Sequence, residues 1–196
     1  MSSLTQEEKN LELIKQAEKG NKEVVEMLLK AGADPNIQDT DDTDDTDGNT
    51  ALIWASYNGH KEIVEILIKS GADPNFKNIH KETALMCASD KANKEIVKML
   101  IEYVDDVDAE CVSKETALMK AIFNIDHNIK MIEMFEERDM GDNLKEYKKN
   151  IKEVVKILLV AGANPNKLNK GQTVLMSANE KGYEEIADIL TQYGAE

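Results

Sequence analysis

The sequence predicts an all-α solenoid: a linear stack of short helix-turn-helix units joined by β-hairpin-like loops. Three observations carry this. The unit G-A-D-P-N stands at residues 32–36 and 71–75, and G-A-N-P-N at 162–166. T-A-L begins at Thr50, Thr83 and Thr116, 33 residues apart, and T-V-L follows at Thr173. Each G-A-x-P-N unit follows an apolar run with helical spacing. A fixed period of this length marks a chain built from units that cannot bury their apolar faces alone.

Five units follow in order, at about residues 4–36, 47–75, 80–108, 113–166 and 170–196, in one domain. The first lacks T-x-L, having Leu11-Glu12-Leu13, and Thr5-Gln6-Glu7-Glu8 fits a capping box at its start. Its outer helix carries Val24, Val25, Leu28 and Leu29. In the second, Ile63, Val64, Ile66, Leu67 and Ile68 form one broad face, with Lys61, Glu62 and Glu65 outside. Gly after such a run suits a left-handed C-terminal residue, and Pro shortly after stops the helix.

The third unit repeats the stripe as Ile96, Val97, Met99 and Leu100, but puts Val104 where Gly71 stands in the second. A β-branched residue at positive φ is costly, so this helix is expected to end without a left-handed residue. In the fourth unit the ruler breaks. The Glu twelve residues after Thr50, Thr83 and Thr173 comes 37 residues after Thr116, at Glu153. About 25 residues, 125–149, are therefore inserted between its two helices.

Through the insertion and its flanks Ile122, Ile125, Ile129, Ile132 and Phe135 step by three and four, as do Leu144, Tyr147, Ile151, Val154 and Leu158. Met140-Gly-Asp-Asn143 between them reads as a turn. The prediction is that both helices lengthen into a projecting helical hairpin with its own seam. Residues placed off that seam, Met131, Met134 and Tyr147, would form an adaptable apolar ledge. The fifth unit ends the stack with a polar face of Glu180, Lys181, Glu184, Glu185 and Asp188.

The 33-residue period with T-x-L, Gly-His and G-A-D-x-N resembles the ankyrin repeat, most closely over residues 47–75. The family's T-P-L-H becomes T-A-L-I, T-A-L-M twice and T-V-L-M. The resemblance implies partner binding through the hairpin tips and the exposed side of the inner helices. Carried over by position, it gives three columns: Trp54, Cys87, Lys120 and Ser177; Tyr57, Asp90, Phe123 and Glu180; and Asn49, Glu82, Glu115 and Gln172. Trp54, the sole tryptophan, is the leading hot-spot candidate. A family-like His60 is expected to bond locally to backbone.

Composition bounds the partner. A formal charge of −14 disfavours nucleic acid and anionic membrane, and a protein with a basic surface is the natural complement. The same charge also serves solubility alone. No apolar run approaches 18 residues, and the start lacks an apolar signal core. Cys87 and Cys111 read as unpaired thiols of a cytoplasmic protein, with a removed signal peptide left open.

The acidic insertion 39–47 offers Asp41, Asp42, Asp44, Asp45 and Asp47 as weak hard-cation ligands in a mobile loop. It fails the EF-hand spacing: with Gly48 at the sixth position, Trp54 falls at the twelfth. His60, His80 and His127 share no acid at ligand spacing, and no phosphate loop or nucleophile motif occurs. The expectation is a non-enzymatic, cofactor-free monomer that binds a protein. A cation- or polycation-responsive module acting through residues 39–47 and a passive structural protein are the alternatives.

Overall fold

The computed structural model describes residues 4–39, 47–135 and 140–196. Among them are eleven helices and no strand. Five pairs make the stack: α1 (Gln6–Lys19) with α2 (Lys22–Lys30), α3 (Ala51–Asn58) with α4 (Lys61–Lys69), α5 (Ala84–Asp90) with α6 (Lys94–Ile101), α7 (Ala117–Phe123) with α9 (Met140–Val160), and α10 (Val174–Glu180) with α11 (Glu184–Gln192). The extra helix α8 (Ile125–Phe135) packs on α9. Inner helices α1, α3, α5, α7 and α10 touch in sequence, as do outer helices α2, α4, α6, α9 and α11.

The threonine ruler is a row of helix caps. The hydroxyls of Thr50, Thr83, Thr116 and Thr173 accept from the amides of Ile53, Met86, Met119 and Met176 at 3.2–3.3 Å. Each satisfies an amide that the first turn leaves orphaned. At α1 the Glu8 amide donates to Thr5 Oγ1 (3.2 Å) and the Thr5 amide donates back to Glu8 Oε2 (2.7 Å). That second bond holds the Glu8 carboxyl below its ordinary range.

At the other end of the unit, Gly71 takes φ 88° and the Ala72 amide reaches back to the Leu67 carbonyl at 3.0 Å. The third unit departs from this. Val104 is absent from the positive-φ residues, α6 stops at Ile101, and the Val104 amide bonds Leu100 instead. The Asp105 amide then donates to Asn75 Oδ1 at 2.9 Å.

That last contact belongs to a set. Asn36 donates to the Gly71 carbonyl (3.0 Å) and accepts from the Asp73 amide (2.8 Å); Asn166 does the same with Gly194 and Glu196. The final residue of G-A-x-P-N is therefore a staple to the next unit. His60 also works between units: its Nε2 meets the Glu18 carbonyl at 2.9 Å, 42 residues away, which corrects the expected local bond. Asn93, one period later, donates to the Ser56 carbonyl.

The loops are hairpin-like without becoming strands; Gln38 and Thr50 form an isolated antiparallel bridge, as do Asn169 and Gln172. Successive tips are tied by backbone bonds, Ile79 amide to Asp47 carbonyl (3.0 Å) and Val112 amide to His80 carbonyl (2.8 Å). The tip position needs a left-handed residue. Gly48, Lys81 and Lys114, 33 residues apart, all adopt it, at φ 67°, 59° and 65°.

One continuous core runs through the stack between the two helix rows, from Leu13 and Leu28 through Leu67, Leu100 and Leu118 to Leu158 and Leu190. Each such leucine contributes on the order of 2 kcal/mol by leaving water.

The fourth unit does not simply lengthen. Its inner helix breaks at Asn124 and restarts as α8. Asn124 donates to Asp90 Oδ1 (2.6 Å), and Asn128, buried, donates to the Asp90 carbonyl (2.7 Å). Side-chain bonds across to α5 thus take the place of an uninterrupted helical run. The outer helix does lengthen, to 21 residues, and its first turn contains Met140–Asn143, where a turn was expected. The remaining chain between α8 and α9, and the acidic residues 40–46, lie outside the described residues.

Candidate protein-binding surface

The exposed side of α3, α5 and α7, with the hairpin tips, gathers most of the column residues. Trp54 is held in place from below: its Nε1 donates to Asp39 Oδ2 (2.8 Å), while Asp39 Oδ1 accepts from the Asn49 amide (2.5 Å). Tyr57 meets it edge to face, centroids 6.2 Å apart at 88°. The Lys91 ammonium sits 4.7 Å from the Tyr57 centroid and 3.2 Å from Asp90. Asp47, Asn49, Ile53, Trp54, Tyr57, Glu82 and Cys87 help line a groove of about 190 Å³.

A second depression, about 500 Å³, lies between units four and five and is lined by Glu115, Phe123, Gln172, Ser177, Glu180 and Lys181 among others. Lys120 separates the two, bonded to Glu82 and 3.6 Å from Glu115. Burial alone would lower the Lys120 pKa; the Glu82 and Glu115 carboxylates outweigh it and push it up to about 12. Lys120, Glu82, Glu115 and Asp90 are therefore engaged with one another and with Lys91, and a partner gains little from them unless it replaces those pairs. Asn49, 5 % exposed, accepts from Asn78 Nδ2 and is a structural residue of the tips.

Two expectations are corrected. Cys87 is not on an exposed column: it is 8 % exposed, and burial pushes its thiol up to about 12. Tyr147 is not on a ledge: it is 8 % exposed, with Asn128 Nδ2 donating to its hydroxyl at 3.3 Å. Met131 and Met134 are open, at 38 % and 70 % exposure. Of the acidic insertion, Asp41, Asp42, Asp44 and Asp45 lie outside the described residues, and Asp47 pairs with His80 at 3.2 Å.

Cys87 yields a direct check. Its thiol, and that of buried Cys111, should resist iodoacetamide in the folded protein and react fully in urea. The folded-state pKa is raised, so the contribution of Cys87 to stability is intact below pH about 9 and is lost as pH climbs toward 12. Cys87→Ala should flatten that part of an alkaline stability profile. Rapid native alkylation at position 87 would restore the exposed assignment.

Sequence reading missed the tip residues that stand furthest out: Ile79, Val112 and Leu168, at 61 %, 61 % and 63 % exposure. The signal was present as three apolar-x-Lys triplets, 79–81, 112–114 and 168–170. It also missed Asn128, which accepts from Lys91 Nζ (3.0 Å) and joins α5, α8 and α9.

Stacked helix pairs with protruding loops define a helical-repeat protein. The family model for ankyrin repeats (3 copies) matches residues 5–78 and 71–143, well over half of the 196 residues. The chain belongs to the ankyrin-repeat family. Repeats of this family generally serve as protein–protein interaction modules and are typically non-enzymatic. No curated protein matches the chain. Among the described residues no helix is long and apolar enough to cross a membrane.

Proposed function

We propose that this protein is a preorganised, non-catalytic scaffold that holds another protein against its inner-helix face and hairpin tips. The observation that carries it is the coincidence of exposed apolar tips with an aromatic groove. Ile79 stands out on the tip whose Asn78 lines the groove with Trp54 and Tyr57, and Val112 stands out on the next tip. Exposed apolar groups grouped beside a rigid aromatic pair suit a partner-binding patch. The caps, staples and ion pairs fix this surface before a partner arrives, which lowers the ordering cost of binding. Met131 and Met134, open on α8, offer a further apolar contact, and the charge of −14 favours a partner with basic residues around an apolar centre. Of the residues the cation-responsive reading invokes, 40–46 lie outside the described ones, Asp39 is bonded to Trp54 and Asn49, and Asp47 pairs with His80. We read the protein as a cytoplasmic monomer.

The test compares capture from native lysate by wild type and by Tyr57→Ala/Ile79→Ser/Val112→Ser. All three side chains are exposed, so folding should hold, and Trp54 is spared because it anchors Asp39. A partner held by wild type should be lost by about tenfold or more in the variant. Equal capture by both would move the binding surface elsewhere.

A further inference from the structure

Among the described residues of this acidic chain, the elongated outer helix of the fourth unit's α8–α9 arm gathers lysines along one side. Lys145, Lys148, Lys149, Lys152 and Lys156 all belong to α9. At about 100° per residue they fall within roughly 100° of arc. The acids of that stretch, Asp142, Glu146 and Glu153, fall beside this arc, and the buried residues Tyr147, Ile151 and Val154 fall opposite them and inward. A lysine face about 16 Å long results, from the eleven rises of about 1.5 Å between Lys145 and Lys156.

Its charge is mostly unspent. Lys145 is 80 % exposed and among the described residues pairs with Asp142 at 3.5 Å; Lys156 is 49 % exposed and pairs with Glu153 at 3.8 Å. Both are solvent-screened pairs on one helix and contribute little. Lys148 and Lys149 are exposed and make no ion pair among the described residues. Lys152 alone reaches out of its helix, to Glu185 of α11 at 2.5 Å.

Beside this face opens a cleft of about 360 Å³ between the arm and the last unit. Ile125, Ile129, Ile151 and Ile186 give it an apolar floor, and Lys148 and Lys152 stand on its wall. The opposite wall is acidic, but its charge is largely answered. Asp126 bonds Tyr183 and sits 3.1 Å from Lys181, which hold its carboxyl below the ordinary range, and Glu185 is met by Lys152. Glu184 remains open to solvent.

We propose that the α9 lysine face and the adjoining cleft dock a short acidic peptide segment of a partner protein, with an apolar side chain seated on the isoleucine floor. Charge complementarity selects the sign, and length selects the class. An extended segment of about five residues spans 16 Å, whereas a membrane or a long nucleic acid would also confront the body that carries the −14 charge. This site is independent of the inner-helix face and takes the opposite charge, so the two surfaces would engage different partners.

Fluorescence anisotropy with a labelled Glu-Glu-Leu-Glu-Glu-Leu-Glu-Glu peptide on the whole protein tests this. Saturable binding that weakens with salt is expected. Lys148→Glu/Lys149→Glu should weaken the acidic peptide by about tenfold or more, with circular dichroism unchanged because both side chains are exposed. No binding of the acidic peptide, or binding indifferent to the charge reversal, would overturn the proposal. So would retention of phosphatidylserine vesicles or single-stranded RNA in preference to the peptide, since that assigns the face to a different class of partner.

Discussion

Replacing Leu118 by alanine should lower the unfolding free energy by about 3 kcal/mol, near the middle of the range for buried leucines. Leu118 is 1 % exposed and lies on α7, which packs against α5 on one side and α10 on the other. The cavity would open at the centre of the stack, where two unit interfaces meet. Because each unit leans on its neighbours, the loss should be felt as cooperativity as well as stability. In urea the midpoint should fall, and a smaller m value would mean that units one to three and units four to five have begun to unfold separately. Met27→Ala provides the contrast: this side chain is 51 % exposed, so its truncation should stay within about 0.5 kcal/mol. A cost below 1 kcal/mol at Leu118 would mean that the continuous core is not what holds the units together.

Tyr147→Ala should cost about 3–4 kcal/mol, a core effect rather than a binding effect. The ring is buried on α9, and its hydroxyl accepts from Asn128, the residue that ties the arm to α5. Tyr147→Phe keeps the ring and should cost only about 1 kcal/mol. A pH signature accompanies it. Burial pushes the Tyr147 hydroxyl up to about 12, against the opposing bond from Asn128. The unfolded phenol releases its proton near pH 10. The folded pKa is the higher one, so this part of the stability is intact below pH about 10 and is lost as pH rises toward 12. Tyr147→Phe should remove that part of the alkaline slope. A stable Tyr147→Ala protein would put the residue back on the surface.

Much of the fold was legible because few residue types set the unit. The threonines marked the period, the glycines announced helix ends, and Val104 announced an ending of another kind. What escaped were features decided by contacts distant in sequence. Ile122, Ile125 and Ile129 keep helical spacing straight through Asn124, so apolar periodicity carries no trace of the break; bonds to Asp90, 34 and more residues away, make it. Gly141 and Asn143 resemble a turn locally, yet packing of α9 along its apolar side outweighs a glycine cost of about 1 kcal/mol.

The candidate surface was legible in outline and wrong in emphasis. Counting positions placed Cys87 in an exposed column, but its neighbours close over it in the stack. The same counting marked Lys120, Glu82 and Glu115 as recognition groups, yet in the stack Lys120 pairs with Glu82 of the preceding unit and with Glu115 of its own. The tips Ile79, Val112 and Leu168 were passed over because loop residues were treated as turn chemistry alone.

Hydrogen exchange on the complex with the captured partner tests the binding surface most directly. Slowed exchange should fall on the tips at residues 77–81 and 110–114 and on the inner helices α3 and α5, with outer helices α4 and α6 unchanged. Slowing confined to the outer helices, with the tips exchanging as in the free protein, would contradict the assignment of the inner-helix face as the site where this protein holds its partner.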